Sequence, residues 1–236
     1  MNNGALKTAA LLSGLVATSA FAQGETGSPA SKAGATFWID HNVLTYSSNT
    51  TDPDEGADKK ESAWETTPDD VTLGIFWKNY GVYVTPASGK DGGLGMVGLS
   101  LFPTKEVEVG INLGTNRSKD DNGANELERT SDLVGLFGTY YLQLDAISTL
   151  ELQAWYTYAN SEVESLNGTG AVVKTETKTN QFKIGVQYDY QIAEHFHIVP
   201  GIFFNAGNSD VDGPTSDSKD DASGIIVNLA HFRYVF

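Results

Sequence analysis

Six charged residues carry the first chemical question this sequence poses: Glu106, Glu108, Glu151, Lys183, Asp189 and Arg233. Each sits in a segment where apolar and polar residues alternate. Residues two apart share one face of a strand, so these charges would collect on the faces opposite the apolar ones. Most lie near segment ends. Carboxylates that meet Arg233 and Lys183 could lock into an ion-pair network filling a narrow interior. They could equally form a constriction that filters or gates ions. Filling is the favoured expectation, because a narrow sheet-walled interior holds little more than side chains.

Other candidates for chemistry lack context. His41, His195, His197 and His231 sit in no nucleophile motif, and no triad or acid pair is evident. His195 and His197 flank Phe196 and would point to one face of a strand, but no third metal ligand accompanies them. Gly93-Leu94-Gly95-Met96-Val97-Gly98 matches a dinucleotide fingerprint, yet a strand, LSLFP, follows where a helix is required. Asp52-x-Asp54-Glu55 and Asp210-x-Asp212-Gly213 offer hard oxygens but no complete calcium loop. No catalysis, metal or cofactor is expected.

Composition narrows the class. The 236 residues contain no cysteine, so there is no disulfide framework, thiol nucleophile or thiolate site. Residues 1–22 read as a secretory signal: Lys7, an apolar run from Ala9 to Val16, then Ala20-Phe21-Ala22 as the cleavage site. The formal charge of −15 argues against nucleic acid and against anionic headgroups. After residue 22 no apolar run is long enough for a membrane helix, so any membrane span must be built from strands.

The elements that would position the charges are strands throughout. Residues 23–35 read as a flexible leader, followed by a single domain, 36–236. Strands are expected at 36–47, 94–102, 107–115, 130–144, 150–160, 176–192, 196–206 and 223–236. Residues 71–87 read either as one long strand or as a hairpin turning at Lys78-Asn79-Tyr80-Gly81. The connections alternate short and long: 103–106, 145–148 and 193–195 are short, while 48–69, 117–129, 161–175 and 207–222 are long, polar and mostly acidic.

The last strand ends Phe232-Arg233-Tyr234-Val235-Phe236. This ending resembles the C-terminal signature of bacterial outer-membrane β-barrel proteins, with Phe232, Tyr234 and Phe236 as assembly signal and lipid face. The resemblance implies an all-β, transmembrane, antiparallel up-and-down barrel with short periplasmic turns and long acidic extracellular loops. It also implies residence in the bacterial outer membrane, contact with membrane lipid and insertion by the barrel assembly machinery. With the terminus on the periplasmic side, residues 36–87 must supply an odd number of strands. Three (36–47, 71–77, 81–87) give ten in all. One long strand gives eight, with 36–47 inserted.

Several strands are apolar on both faces. Leu133, Phe137 and Tyr141 oppose Val134, Leu136, Tyr140 and Leu142, and Ile225, Val227 and Leu229 alternate in phase with Arg233. A water-filled pore would not carry these inside. In layout the chain resembles the small porin-like proteins of predatory bacteria, which implies a homo-oligomeric ring enclosing lipid. The expectation is therefore a porin-like barrel, structural or conductive, with surface recognition through the acidic loops as the alternative.

Overall fold

The computed structural model describes residues 35–53, 57–66, 71–86, 95–121, 126–166, 172–213 and 218–236. The expected signal peptide, with Ala20 and Ala22, and the leader up to residue 34 lie outside the described residues. Twelve strands run β1 (Ala35–Pro53), β2 (Lys59–Thr66), β3 (Val71–Trp77), β4 (Tyr80–Thr85), β5 (Met96–Leu101), β6 (Val107–Asp121), β7 (Glu126–Gln143), β8 (Ser148–Leu166), β9 (Val172–Ala193), β10 (Phe196–Ile198), β11 (Gly201–Asp212) and β12 (Ser218–Val235). All pair antiparallel in one sheet, and β12 pairs back onto β1, closing the sheet into a barrel.

The twelve strands make ten staves. β3 pairs with the lower part of β1 and β2 with its upper part, so β2 and β3 descend as one stave. β10 and β11 both lie between β9 and β12, interrupted at Val199-Pro200, where proline supplies no N–H to the ladder. The ten-strand reading holds. The eight-strand alternative fails because Trp77 pairs with Tyr80 across a Lys78-Asn79 turn, with Lys78 at φ 54°.

The expected long loops are largely strand. β1 continues to Pro53, β6 to Asp121, β8 to Leu166 and β11 to Asp212. Polar residues there pair in register above the level at which the wall turns polar, so hydropathy alone hid their strand character. The short connections are as expected. In one of them Asp145 Oδ1 accepts the Ile147 N–H at 2.9 Å, and that bond holds the carboxyl below its usual range. The turn keeps this contribution above the unfolded carboxyl's value and loses it as pH falls through the lowered one.

The outside of the barrel is an apolar belt that includes Leu99, Leu136, Ile184, Ile202 and Phe204. Trp77, Tyr80, Tyr140, Tyr188, Tyr234 and Phe236 ring its short-turn end. Alternation assigns most faces correctly, but not in β12. Both seam strands bulge at one height: register shifts fall at Asn42/Leu44 and Leu44/Thr45, opposite Ala230. A bulge reverses inside and outside beyond it. Asn42, Thr45, Asn228, His231 and Arg233 are consequently all buried, while Leu229 is 50% and Ile225 47% exposed. Ile225, Val227 and Leu229 therefore belong to the outer face with Phe232, Tyr234 and Phe236, and the expectation that they share the inner face with Arg233 is corrected.

This assignment is testable in a chain that has no cysteine of its own. A spin label at Leu229→Cys in liposomes should be accessible to dissolved oxygen and shielded from a polar relaxer, whereas a label at Asn228→Cys should show neither lipid contact nor a mobile spectrum. A water-exposed label at residue 229 would remove the bulge.

Candidate functional site

The inner face divides in two. From β1 through β7 it is aromatic: Trp38, Phe76, Tyr83, Phe102, Phe137 and Tyr141 pack together, most with centroids 5.3–6.5 Å apart. This is why those strands are apolar on both faces. Their inner rings pack on one another across the barrel, as interior core. Glycine makes one of these contacts possible: a Cβ at Gly74 would overlap the Trp38 indole.

From β8 around to β1, near the short-turn end, the inner face is polar and fully buried. Arg233 Nη1 donates to Glu151 Oε1 on β8 at 2.9 Å and to Asp189 Oδ2 on β9 at 2.5 Å. Asp189 Oδ1 accepts from His197 Nδ1 at 2.7 Å. Gln153 Nε2 donates to Glu151 Oε2 at 3.0 Å and to Gln187 Oε1 at 2.8 Å. Gln187 Nε2 lies 3.1 Å from His231 Nδ1, and His231 Nε2 bonds Asp40. The result is an unbroken side-chain chain: Asp40, His231, Gln187, Gln153, Glu151, Arg233, Asp189, His197. With Gln187 as donor, His231 accepts at Nδ1 and donates from Nε2 to Asp40, the neutral tautomer. The chain ties β1, β8, β9, β10 and β12 together across the interior. Beside it Tyr141 OH donates to Glu108 Oε2 at 2.7 Å, joining the aromatic half to the polar half.

Of the six charges singled out in the sequence, Glu108, Glu151, Asp189 and Arg233 converge here. Glu106 does not: it lies exposed in the turn before β6, where its backbone N–H bonds Thr104. Lys183 is inward but six residues along β9 from Asp189, about 20 Å of strand, and it stacks over Phe203 and Trp155 at 4.3 and 4.9 Å. Phe203 in turn fills the space over Gly185, where a Cβ would overlap its ring. His195 and His197 do not pair. His195 is exposed in the turn, stacked on Phe236, and His197 is buried. His197 and His231 were weighed only as catalytic or metal-binding candidates, and Asp40, Gln153 and Gln187 were not singled out. Their signal was parity: Asp40 pairs in register with Arg233, and Gln153 and Gln187 lie on the same faces as Glu151 and Asp189.

His197 Nε2 has no hydrogen-bond partner among the described residues, and both His231 nitrogens are occupied. No group of three or more metal-ligating side chains is found among the described residues. A strand, β5, follows Gly95, as expected for the glycine-rich stretch.

No known family profile matches the chain, and no curated protein matches it. Solved structures similar to it include neisserial surface protein A, at 12% identity over 84% of this chain and 100% of that one, with a TM-score of 0.33. Ail, the attachment invasion locus protein of Yersinia pestis, in complex with a heparin analogue, gives 9% identity, 86% and 100% coverage, and a TM-score of 0.36. A major outer membrane protein of Thermus thermophilus gives 10% identity, 86% and 100% coverage, and a TM-score of 0.34.

Removing one partner of a buried ion pair costs more than the pair contributes, because the remaining charge is left in a poor solvent. Arg233→Ala should destabilise the folded barrel by about 3–5 kcal/mol. The triple change Arg233→Met, Glu151→Leu, Asp189→Leu should recover most of that loss. Urea titration of both variants in liposomes, read by gel mobility of the folded form, checks the order.

Proposed function

We propose that this chain is a bacterial outer-membrane β-barrel of porin-like architecture whose lumen is closed at the short-turn end, acting as a structural or gated conductive element. Support for the location comes from physics rather than from the likenesses above. An apolar belt facing outward, an aromatic ring at its short-turn end and a closed sheet without free edges along the seam suit hydrocarbon and not water. Short turns at one end and tall strands at the other suit a periplasmic and an extracellular end respectively. Insertion by the barrel assembly machinery, guided by Phe232, Tyr234 and Phe236, belongs to the same reading.

The observation that carries the closed lumen is Arg233. It is fully buried and bonded to carboxylates on the adjacent staves β8 and β9, beside the Tyr141–Glu108 pair and the packed rings of the other half, so a water path past it requires those bonds to break. The homo-oligomeric ring enclosing lipid is implied by layout and by strands apolar on both faces; the outward Ile225, Val227 and Leu229 and the inward Phe137 and Tyr141, packed in the aromatic core, lend it no support.

A second reading, surface recognition, is favoured by wall height. β9 has 22 residues and β7 and β12 have 18 each, where about 9–11 suffice to cross a bilayer. The excess stands above the belt and carries charge pairs, Lys174–Glu162 at 2.5 Å and Lys219–Asp210 at 3.6 Å. Exposed pairs of this kind add little stability, which leaves partner binding as a use for them.

Planar-bilayer recording separates the two. The wild-type barrel should show rare, brief openings, and Arg233→Ala should raise open probability at least severalfold. Identical traces from both proteins would rule out Arg233 as the closure. Exchange of the rim segment 207–222 that abolishes surface binding while traces stay unchanged would favour recognition.

A further inference from the structure

Above the ion-paired floor the interior changes character. The layer of Phe203, Trp155 and Phe137 separates the Arg233 network from the upper lumen. Higher on the inner face, Thr157, Thr179, Gln181, Ser131 and Asn49 are half-buried while Ala159, Ser161 and Ser209 are buried, so the upper lumen is a narrow, mostly polar vestibule at the long-loop end. Lys183 lies at its floor. It is 5% exposed, and among the described residues its ammonium has ring faces beside it but no carboxylate and no hydrogen bond. Arg233, in contrast, has two carboxylates at hydrogen-bonding distance. Burying an unpaired ammonium is costly, and ring faces offset only part of that cost.

The neighbours of Lys183 are also unsatisfied. Trp155 and Asn205 are its direct register partners on the two flanking strands, and all three are inward and buried. Trp155 Nε1, Asn205 Oδ1 and, four residues up β11, Ser209 Oγ have no partner among the described residues. Asn205 can present its NH2 as well as its oxygen, so the row presents an ammonium, an indole N–H and an amide. All three can donate to one acceptor group, while Ser209, about 13 Å farther along β11, lies beyond the reach of so small a group.

We infer that Lys183, Trp155 and Asn205 form an oxyanion-binding site at the floor of the vestibule, taking a small anion such as sulfate, phosphate or a carboxylate from the long-loop side. The inference rests on the closed short-turn end proposed above, because that closure makes the vestibule a blind pocket.

The test is calorimetric titration of the folded barrel in detergent with sodium sulfate and with inorganic phosphate, sodium chloride serving as the control. Saturable binding of sulfate or phosphate, with a change in tryptophan emission, is expected. Lys183→Met should weaken it at least tenfold and Lys183→Arg should retain it. Asn205→Leu, which leaves the cation in place, should weaken it severalfold. Lys219→Met, at the exposed rim, should change nothing. Absence of saturable binding in the wild type, or equal binding by Lys183→Met, overturns the site. Binding in detergent is read without any current, so a failed recording on Arg233→Ala with intact anion binding would sink the closure alone.

Discussion

A closed sheet pairs all its wall backbone N–H and C=O groups within itself, as the proposed place in hydrocarbon would demand, and in this chain everything depends on how the seam achieves it. β1 and β12 pair from Trp38↔Val235 to Pro53↔Asp220. Phe37 and Phe236 then exchange reciprocal backbone bonds at 3.1 and 2.8 Å beyond the strand end. A bulge in one strand alone would have set its inner residues facing out against a partner that stayed in phase. Here both strands bulge at the same height and the errors cancel. The inner side of the defect is covered locally: Asn42 Nδ2 donates to Thr45 Oγ1 at 2.7 Å and to Asn228 Oδ1 at 3.4 Å. The same paired defect keeps both Leu229 and Tyr234 outside while Asn228 and Arg233 stay inside.

Once the wall is closed, its interior must be filled or wetted. Ten staves enclose more than eight do, and this barrel fills the added space with two materials. The half lined by the short staves β3, β4 and β5 uses rings, which need no partners beyond each other. The half lined by β8 to β12 uses charge. Against apolar residues of equal volume, a buried ion-pair network is seldom the more stable filling. Since the same barrel demonstrates the aromatic solution a few ångströms away, stability alone does not account for Arg233, Glu151 and Asp189. That is the physical reason for placing function at the short-turn end.

Alternation in β8 and β9 was legible from sequence because no bulge interrupts it: Glu151, Gln153 and Trp155 face in, Leu150 and Leu152 do not share their face, and Lys183, Gln187 and Asp189 follow the same rule. The hairpin at Lys78-Asn79 was legible only as an alternative. Two things were not. A bulge has no hydropathy signature in a strand as apolar as Ile225–Leu229, so parity counted back from Phe236 was wrong above Ala230. Strand that continues above the belt is polar on both faces, and Asp210, Lys174 and Glu162 look like loop residues until their register partners are known. Convergence of Asp40 with Arg233 required the closure itself, since the two lie at opposite ends of the chain and meet only across the seam.

The charge distribution then decides what an interior lysine can do in so acidic a chain. The rim carboxylates nearest Lys183 along β11 begin at Asp210, five residues above its register partner Asn205. At about 3.3 Å per residue that is roughly 17 Å, near two Debye lengths at physiological salt. Below, Asp189 is a comparable distance away along β9, and there the separation is by rings, with Phe203 and Trp155 between. Neither end of the barrel cancels the Lys183 charge. Its two register partners, Trp155 and Asn205, bring an indole N–H and an amide and no counter-charge. In a protein of net charge −15, selection for solubility or for lipid contact does not produce such a site, because the side chain meets neither bulk water nor lipid.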